Sequence, residues 1–241
     1  MGRQIDSKLV GTIRNLIFYN HQGNYRMRLK PESVRRSPAS VRSGLNFGKA
    51  SKLSRSVRSL IAPINPSSND SHSANLFTGA LSKFINWQEK QLPLASGLQK
   101  DLPFISGFQF NGHANLSSIH AIRVSVNTIE SGLVEFRFAA FVPSEALHAS
   151  IYTDHILFKV MLITVNFTDL TCEKISMTEI DIPHIGGTIQ PPFISLPATK
   201  VSGKLTLMVM TVQYIVNRKN AGQMISDLKK QPCGVVWAGW L

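Results

Sequence analysis

Cysteine is nearly absent from this chain. Cys172 and Cys233 are the only two in 241 residues, which excludes a disulfide framework, a CxxC redox pair and a His/Cys zinc ligand set. They read as buried or half-buried thiols, with a single bridge between them left open. Long apolar runs are missing as well. The longest, residues 156–167, is broken by Lys159 and Asn166 and falls short of the ~20 residues a membrane helix needs, so no membrane insertion is expected. The opening stretch MGRQIDSKLVGTIRN has neither an apolar h-region nor a small-residue cleavage site. The expectation is therefore synthesis as a soluble protein without a Sec signal peptide, which gives the acceptor patterns at Asn115 and Asn166 no weight.

The short patterns that build active sites are missing too. There is no G-x-S-x-G, no G-x-G-x-x-G after a strand, no Walker A, no H-E-x-x-H and no H-x-E with C-x-x-C. Gly186-Gly187 sits in a proline-rich loop and reads as a turn. His113 with His120 and His148 with His155 are each seven apart, so on a strand they face opposite sides about 23 Å from one another and cannot converge on a metal. Glu179 and Asp181 share a strand side, but nothing nearby argues for the burial or close like charge that acid/base work requires. The expectation is no enzyme, no cofactor and no metal.

Charge of one sign is also scarce, 14 acidic residues against 26 Lys and Arg, and the imbalance is local. Residues 1–60 hold thirteen Lys/Arg against Asp6 and Glu32, a net +11, whereas the remainder is close to neutral. The densest part is GNYRMRLKPESVRRSPASVR, residues 23–42, with six cations and Glu32 alone opposing them.

Within that segment, residues 15–19 and 25–29 read as a hairpin around a loop in which Gly23 supplies a positive φ. Alternation places Tyr25, Met27 and Leu29 on one side and Arg26, Arg28 and Lys30 on the other. Ser37-Pro38 is a helix start, N-cap serine followed by proline at the first helical position. From there to about Ile61, Phe47, Ala50, Leu53, Val57 and Leu60 recur at spacings of three and four and predict an apolar stripe. Lys49, Lys52, Arg55 and Arg58 fall mostly on the other arc. Gly44 and Gly48 weaken such a helix by roughly 1 kcal/mol each, which suggests close packing against another backbone or a break. The hairpin's apolar side and the helix stripe are expected to cover one another. A second helix is predicted over about 75–88, with Leu76, Phe77, Leu81, Phe84, Ile85 and Trp87 apolar.

From Phe108 onwards the period changes to 2. Segments 119–126, 133–141, 156–167, 174–182, 204–216 and 235–240 are rich in β-branched and aromatic residues, and 183–197 is too proline-rich for a central strand. The fold class expected is mainly β: an antiparallel immunoglobulin- or fibronectin-like β-sandwich preceded by the hairpin and one or two helices. Residues 1–64 are expected as a basic hairpin-plus-helix arm, 65–107 as a linker with a short helix, and 108–241 as the sandwich, with a division near 183–203 left open.

The run Gly11, Asn15-Leu-Ile-Phe-Tyr19, Gly23, Arg26-Met-Arg-Leu-Lys30-Pro31, followed by Phe47-Gly-Lys-Ala-Ser51, resembles a family of uncharacterised bacterial proteins. Its pattern is G-N-x-x-x-Y, G, R-x-K-P, then a helix with F-G-x-A-S and a β-rich remainder. Arg14 stands where the pattern has glycine. The resemblance covers about the first sixty-five residues and implies architecture and a bacterial or phage-like setting, not a reaction.

Two functional readings follow. The first is a non-enzymatic structural or assembly protein whose basic arm docks on a protein partner or a neighbouring subunit. The alternative is sequence-independent nucleic-acid binding through phosphates. In either case the contact residues are Arg26, Arg28, Lys30, Arg35, Arg36, Arg42, Lys49, Lys52, Arg55 and Arg58. No recognition motif or zinc finger supports base readout, and Tyr19 and Tyr25 are a thin stacking platform.

Overall fold

The computed structural model of the chain describes residues 3–5, 8–21, 23–33, 36–65, 71–90, 102, 104–114, 116, 124–129, 133–147, 149–150, 152–197, 204–218, 221–224 and 231–240. By its internal contacts the chain separates into two units, Met1–Arg42 and Ser43–Leu241. It is mainly β, with three antiparallel sheets and few helices.

The first unit is a four-stranded antiparallel sheet in sequence order: β1 (Arg3–Ile5), β2 (Lys8–Ile13), β3 (Leu16–His21) and β4 (Asn24–Leu29). The expected hairpin is β3–β4. His21 pairs with Asn24, so the turn is tighter than five residues, and Gly23 takes φ +82° while donating its N–H to Asn20 Oδ1 at 2.9 Å. Arg14, in the β2–β3 turn, adopts φ +50°, the left-handed region that glycine enters without cost. Between residues 9 and 33, no residue whose exposure is described is buried.

The second unit contains the helices, the first of which starts at Pro38, just before the boundary. Ser40 N–H donates to Ser37 Oγ at 3.2 Å, and α1 runs from Pro38 to Ile61 as the sequence predicts. Its buried arc is Asn46, Ala50, Leu53, Ser54, Val57 and Ile61, so the expected stripe is rotated. Phe47 is 55% exposed, because Asn46 takes the inward position and its Nδ2 donates to Asn86 Oδ1 at 2.8 Å and Glu89 Oε2 at 2.9 Å. Both acceptors belong to α2 (Ser71–Lys90), which begins one turn earlier than expected and buries Phe77, Leu81, Phe84 and Ile85. Gly44 and Gly48 have nothing within 4 Å of the position a Cβ would occupy, and α1 is unbroken across both. Neither the close approach nor the break is present.

The remaining strands are β5 (Val124–Ile129), β6 (Leu133–Phe138), β7 (His155–Asn166), β8 (Thr171–Pro183), β9 (Ile194–Pro197), β10 (Lys204–Arg218), β11 (Ala221–Met224) and β12 (Cys233–Trp240), with a single helical turn, α3 (Pro143–Ala146), after β6. A five-stranded sheet has the order β11-β10-β7-β8, with β12 also paired to β10, and a three-stranded sheet has the order β5-β6-β9. The proline-rich segment contributes only β9, at an edge, as a chain with few free N–H groups requires.

Alternation along β7 and β10 makes two cores. On one face of the large sheet, Met161, Ile163, Val165, Leu205, Leu207 and Val209 pack with Leu53, Val57, Phe77, Leu81 and Phe84 of the helices. On the other, Ile156, Phe158, Val160, Met208, Met210 and Val212 pack with Val134, Phe136, Phe138 and Leu196. The layers are helices, five-stranded sheet and three-stranded sheet. The stripe of α1 is thus buried against the second unit's own sheet and α2. The boundary between the two units falls at Arg42/Ser43, within the first turns of α1.

Both cysteines are free. Cys172 donates its thiol towards the Leu53 carbonyl at 3.9 Å. Burial pushes its pKa up to about 12, and burial likewise raises that of Cys233 to about 11, against the lowering effect of hydrogen bonds from Thr211 and Asn65.

Candidate docking interface

Cross-strand partners in an antiparallel sheet share a face. In the first unit Ile17 opposes Arg28 and Tyr19 opposes Arg26, so one side of β3–β4 interleaves two apolar residues with two arginines. The Arg28 guanidinium lies 5.8 Å from the Tyr19 ring centroid, a cation–π contact worth about 0.5–1 kcal/mol at an exposed site. Lys30 follows β4, its backbone N–H donated to the Asn15 carbonyl at 2.6 Å, while its side chain is exposed. Arg36 and Arg42 are exposed before and within the first turns of α1. Arg35 lies outside the described residues.

On α1, Lys49, Lys52, Arg55 and Arg58 recur every three residues and form one oblique ridge, each step advancing about 4.5 Å along the axis. The first three are exposed and Arg58 is half-buried in the last turn, where a cation complements the carbonyl end of the helix dipole. Like charges at this spacing cost a helix about 0.2–0.5 kcal/mol per pair. The ridge is therefore a small expense that helix formation does not require.

None of Arg26, Arg28, Lys30, Arg36, Arg42, Lys49, Lys52 and Arg55 enters an ion pair with another described residue. The ion pairs among the described residues lie on the large sheet: His155 with Asp181 at 3.2 Å, Lys159 with Glu179 at 3.1 Å and Lys204 with Glu173 at 3.8 Å. Glu179 and Asp181 are thus the solvated side of β8, with Ile180 and Ile182 inward. His120 and His148 lie outside the described residues, and among those described no three His, Cys, Asp or Glu side chains are grouped to hold a metal ion. Gly186 and Gly187 form an exposed bend after β8. No described helix is long and apolar enough to cross a membrane.

The side of the sheet opposite the arginines was less legible in sequence. Register places Ile13, Leu16 and Leu29 together, and Phe18 with Met27. Alternation within 15–19 is the available signal, but it does not identify β2 as the neighbouring strand. Compared with models of protein families and with curated proteins, the chain matches none.

Proposed function

We propose that the chain is a non-enzymatic structural or assembly protein whose basic N-terminal segment docks on a protein partner or a neighbouring subunit. One observation carries this reading: among the described residues between 9 and 33 the four-stranded sheet has none buried, while the second unit closes two cores of its own. A sheet buries its apolar face against another layer, so an exposed sheet bearing arginines held by register is read as a surface that a partner completes. Its acidic counterpart would come from that partner. The stacked three- and five-stranded sheets are read as the sandwich expected from sequence, of immunoglobulin or fibronectin type, with a helical layer added. The resemblance to the bacterial family belongs to the same proposal.

Phosphate binding is the second reading, favoured by the i, i+3 ridge of Lys49, Lys52 and Arg55 on α1. The two are separated by titrating the full chain against duplex DNA at several salt concentrations. Each phosphate contact contributes a slope of about −0.9 to log K against log salt. The assembly reading expects no specific DNA affinity, together with protein–protein cross-links from Lys30 and the 49–55 region. Steep salt-dependent DNA binding without such cross-links replaces it by the second reading.

A further inference from the structure

We infer that the uncharged side of the four-stranded sheet pairs with the same side of a second copy of this chain. The inference rests on the assembly reading and names the partner for one face. Ile13, Leu16, Phe18, Tyr25, Met27 and Leu29 occupy that side, since Ile13 pairs with Leu16, Leu16 with Leu29, Phe18 with Met27, and Tyr25 lies two residues from Met27 on β4. Four of them are well exposed: Ile13 40%, Tyr25 40%, Met27 59% and Leu29 68%. Leu16 and Phe18, on the inner strand β3, are partly exposed.

Charge and area select the occupant. These six residues carry no charge, so they offer nothing to an acidic partner, and their complement is another uncharged apolar face. Arg26 and Arg28 point to the opposite side with Ile17 and Tyr19. A bilayer met by the apolar side would leave those cations aimed away from the headgroups, whereas basic interfacial segments set theirs to reach anionic lipid. Face-to-face pairing of two copies sends both sets of arginines outward. Sheets pack about 10 Å apart, so the like charges on the two outer sides stay well separated and solvated. Taking about 180 Å² for a large side chain, the exposed fractions leave roughly 450 Å² per copy and about 900 Å² for a pair. This is the weak, reversible class of interface, below the ~1,200 Å² at which standard complexes begin. Two-fold pairing is self-complementary by construction, so the same six residues serve both copies.

Sedimentation velocity of the full chain over a concentration series tests this. The expected result is a reversible monomer–dimer equilibrium. The double variant M27K/L29K weakens it at least tenfold, and the milder M27S/L29S weakens it less. L76A, at an exposed position of α2, leaves it unchanged. The altered positions are exposed, and circular dichroism checks that each variant folds. A wild-type chain that stays monomeric at high concentration overturns the inference, as does a dimer that M27K/L29K leaves intact. In the second case assembly stands and the interface lies elsewhere; a monomer with no protein cross-links removes both. Monomeric chain sedimenting with vesicles containing phosphatidylserine, in a manner abolished by M27K/L29K, assigns the face to a bilayer instead.

Discussion

Truncating Leu53 to alanine tests the layer arrangement at its most informative point. Leu53 is fully buried where α1 meets the five-stranded sheet, and its carbonyl accepts from the Cys172 thiol of β8. Leu→Ala removes three carbons, a transfer loss of about 2.4 kcal/mol at ~0.8 per methylene. A rigid site, hemmed by a helix on one side and paired strands on the other, adds a cavity penalty, so the total should be about 3–4 kcal/mol. For a unit of this size, each kcal/mol lowers the midpoint by about 2–4 °C, and a fall of roughly 10 °C is expected in thermal unfolding followed by circular dichroism. The control lies on the same helix. Leu45 is 63% exposed, and Leu45→Ala should move the midpoint by no more than the ~0.5 kcal/mol typical of surface changes. Equal shifts in the two variants, or a Leu53→Ala midpoint within about 2 °C of wild type, would refute the helix-on-sheet packing.

Gly48→Ala should stabilise the chain by about 0.5–1 kcal/mol, because the helix continues through it and the added methyl meets open space; a fall in thermal midpoint would show a close neighbour there. Gly234→Ala should do the reverse, since a Cβ at that position lies 2.6 Å from the Phe108 carbonyl oxygen, which the β12 register fixes. A cost of about 1–3 kcal/mol is expected from such a clash, and an unchanged denaturant midpoint would count against it. The thiols predict a pH dependence. Cys172 and Cys233 have folded pKa values of about 12 and about 11, above the ordinary 9.0, so between those limits the unfolded chain loses protons that the native chain keeps. Stability from this source is complete below pH 9 and declines as pH rises towards 11 and 12, and native thiols should react with iodoacetamide far more slowly than denatured ones. A midpoint that rises over that range, or rapid native alkylation, would contradict the burial of these groups.

How much of this was readable in advance depends on whether a signal was local. The start of α1 was, because Ser37 and Pro38 act within one turn. The long strands were too, because β7 and β10 are buried on both faces and so read as apolar runs. The inward arc of α1 was not. Asn46 and Ser54 are buried polar residues invisible to hydrophobic periodicity, and what makes Asn46 tolerable inside are Asn86 and Glu89, some forty residues away. Strands β1 and β2 were not legible because they gain their identity from pairing, β1 with β2 and β2 with β3, rather than from composition. Among the site residues, alternation separated Arg26 and Arg28 from Met27 and Leu29 correctly. It did not reveal that Met27 and Leu29 are exposed, because alternation separates faces without saying which face is covered.

The five-stranded sheet is a wall shared by two cores. Leu205, Leu207 and Val209 face the helices, while Met208, Met210 and Val212 of the same strand face the small sheet. Neither core has a lining until β7 and β10 are paired, and once they are, each core buries the back of the other's wall. Damage on one side should therefore be transmitted to the other through strands that cannot be lost by halves, and the second unit is expected to melt as one cooperative unit rather than two.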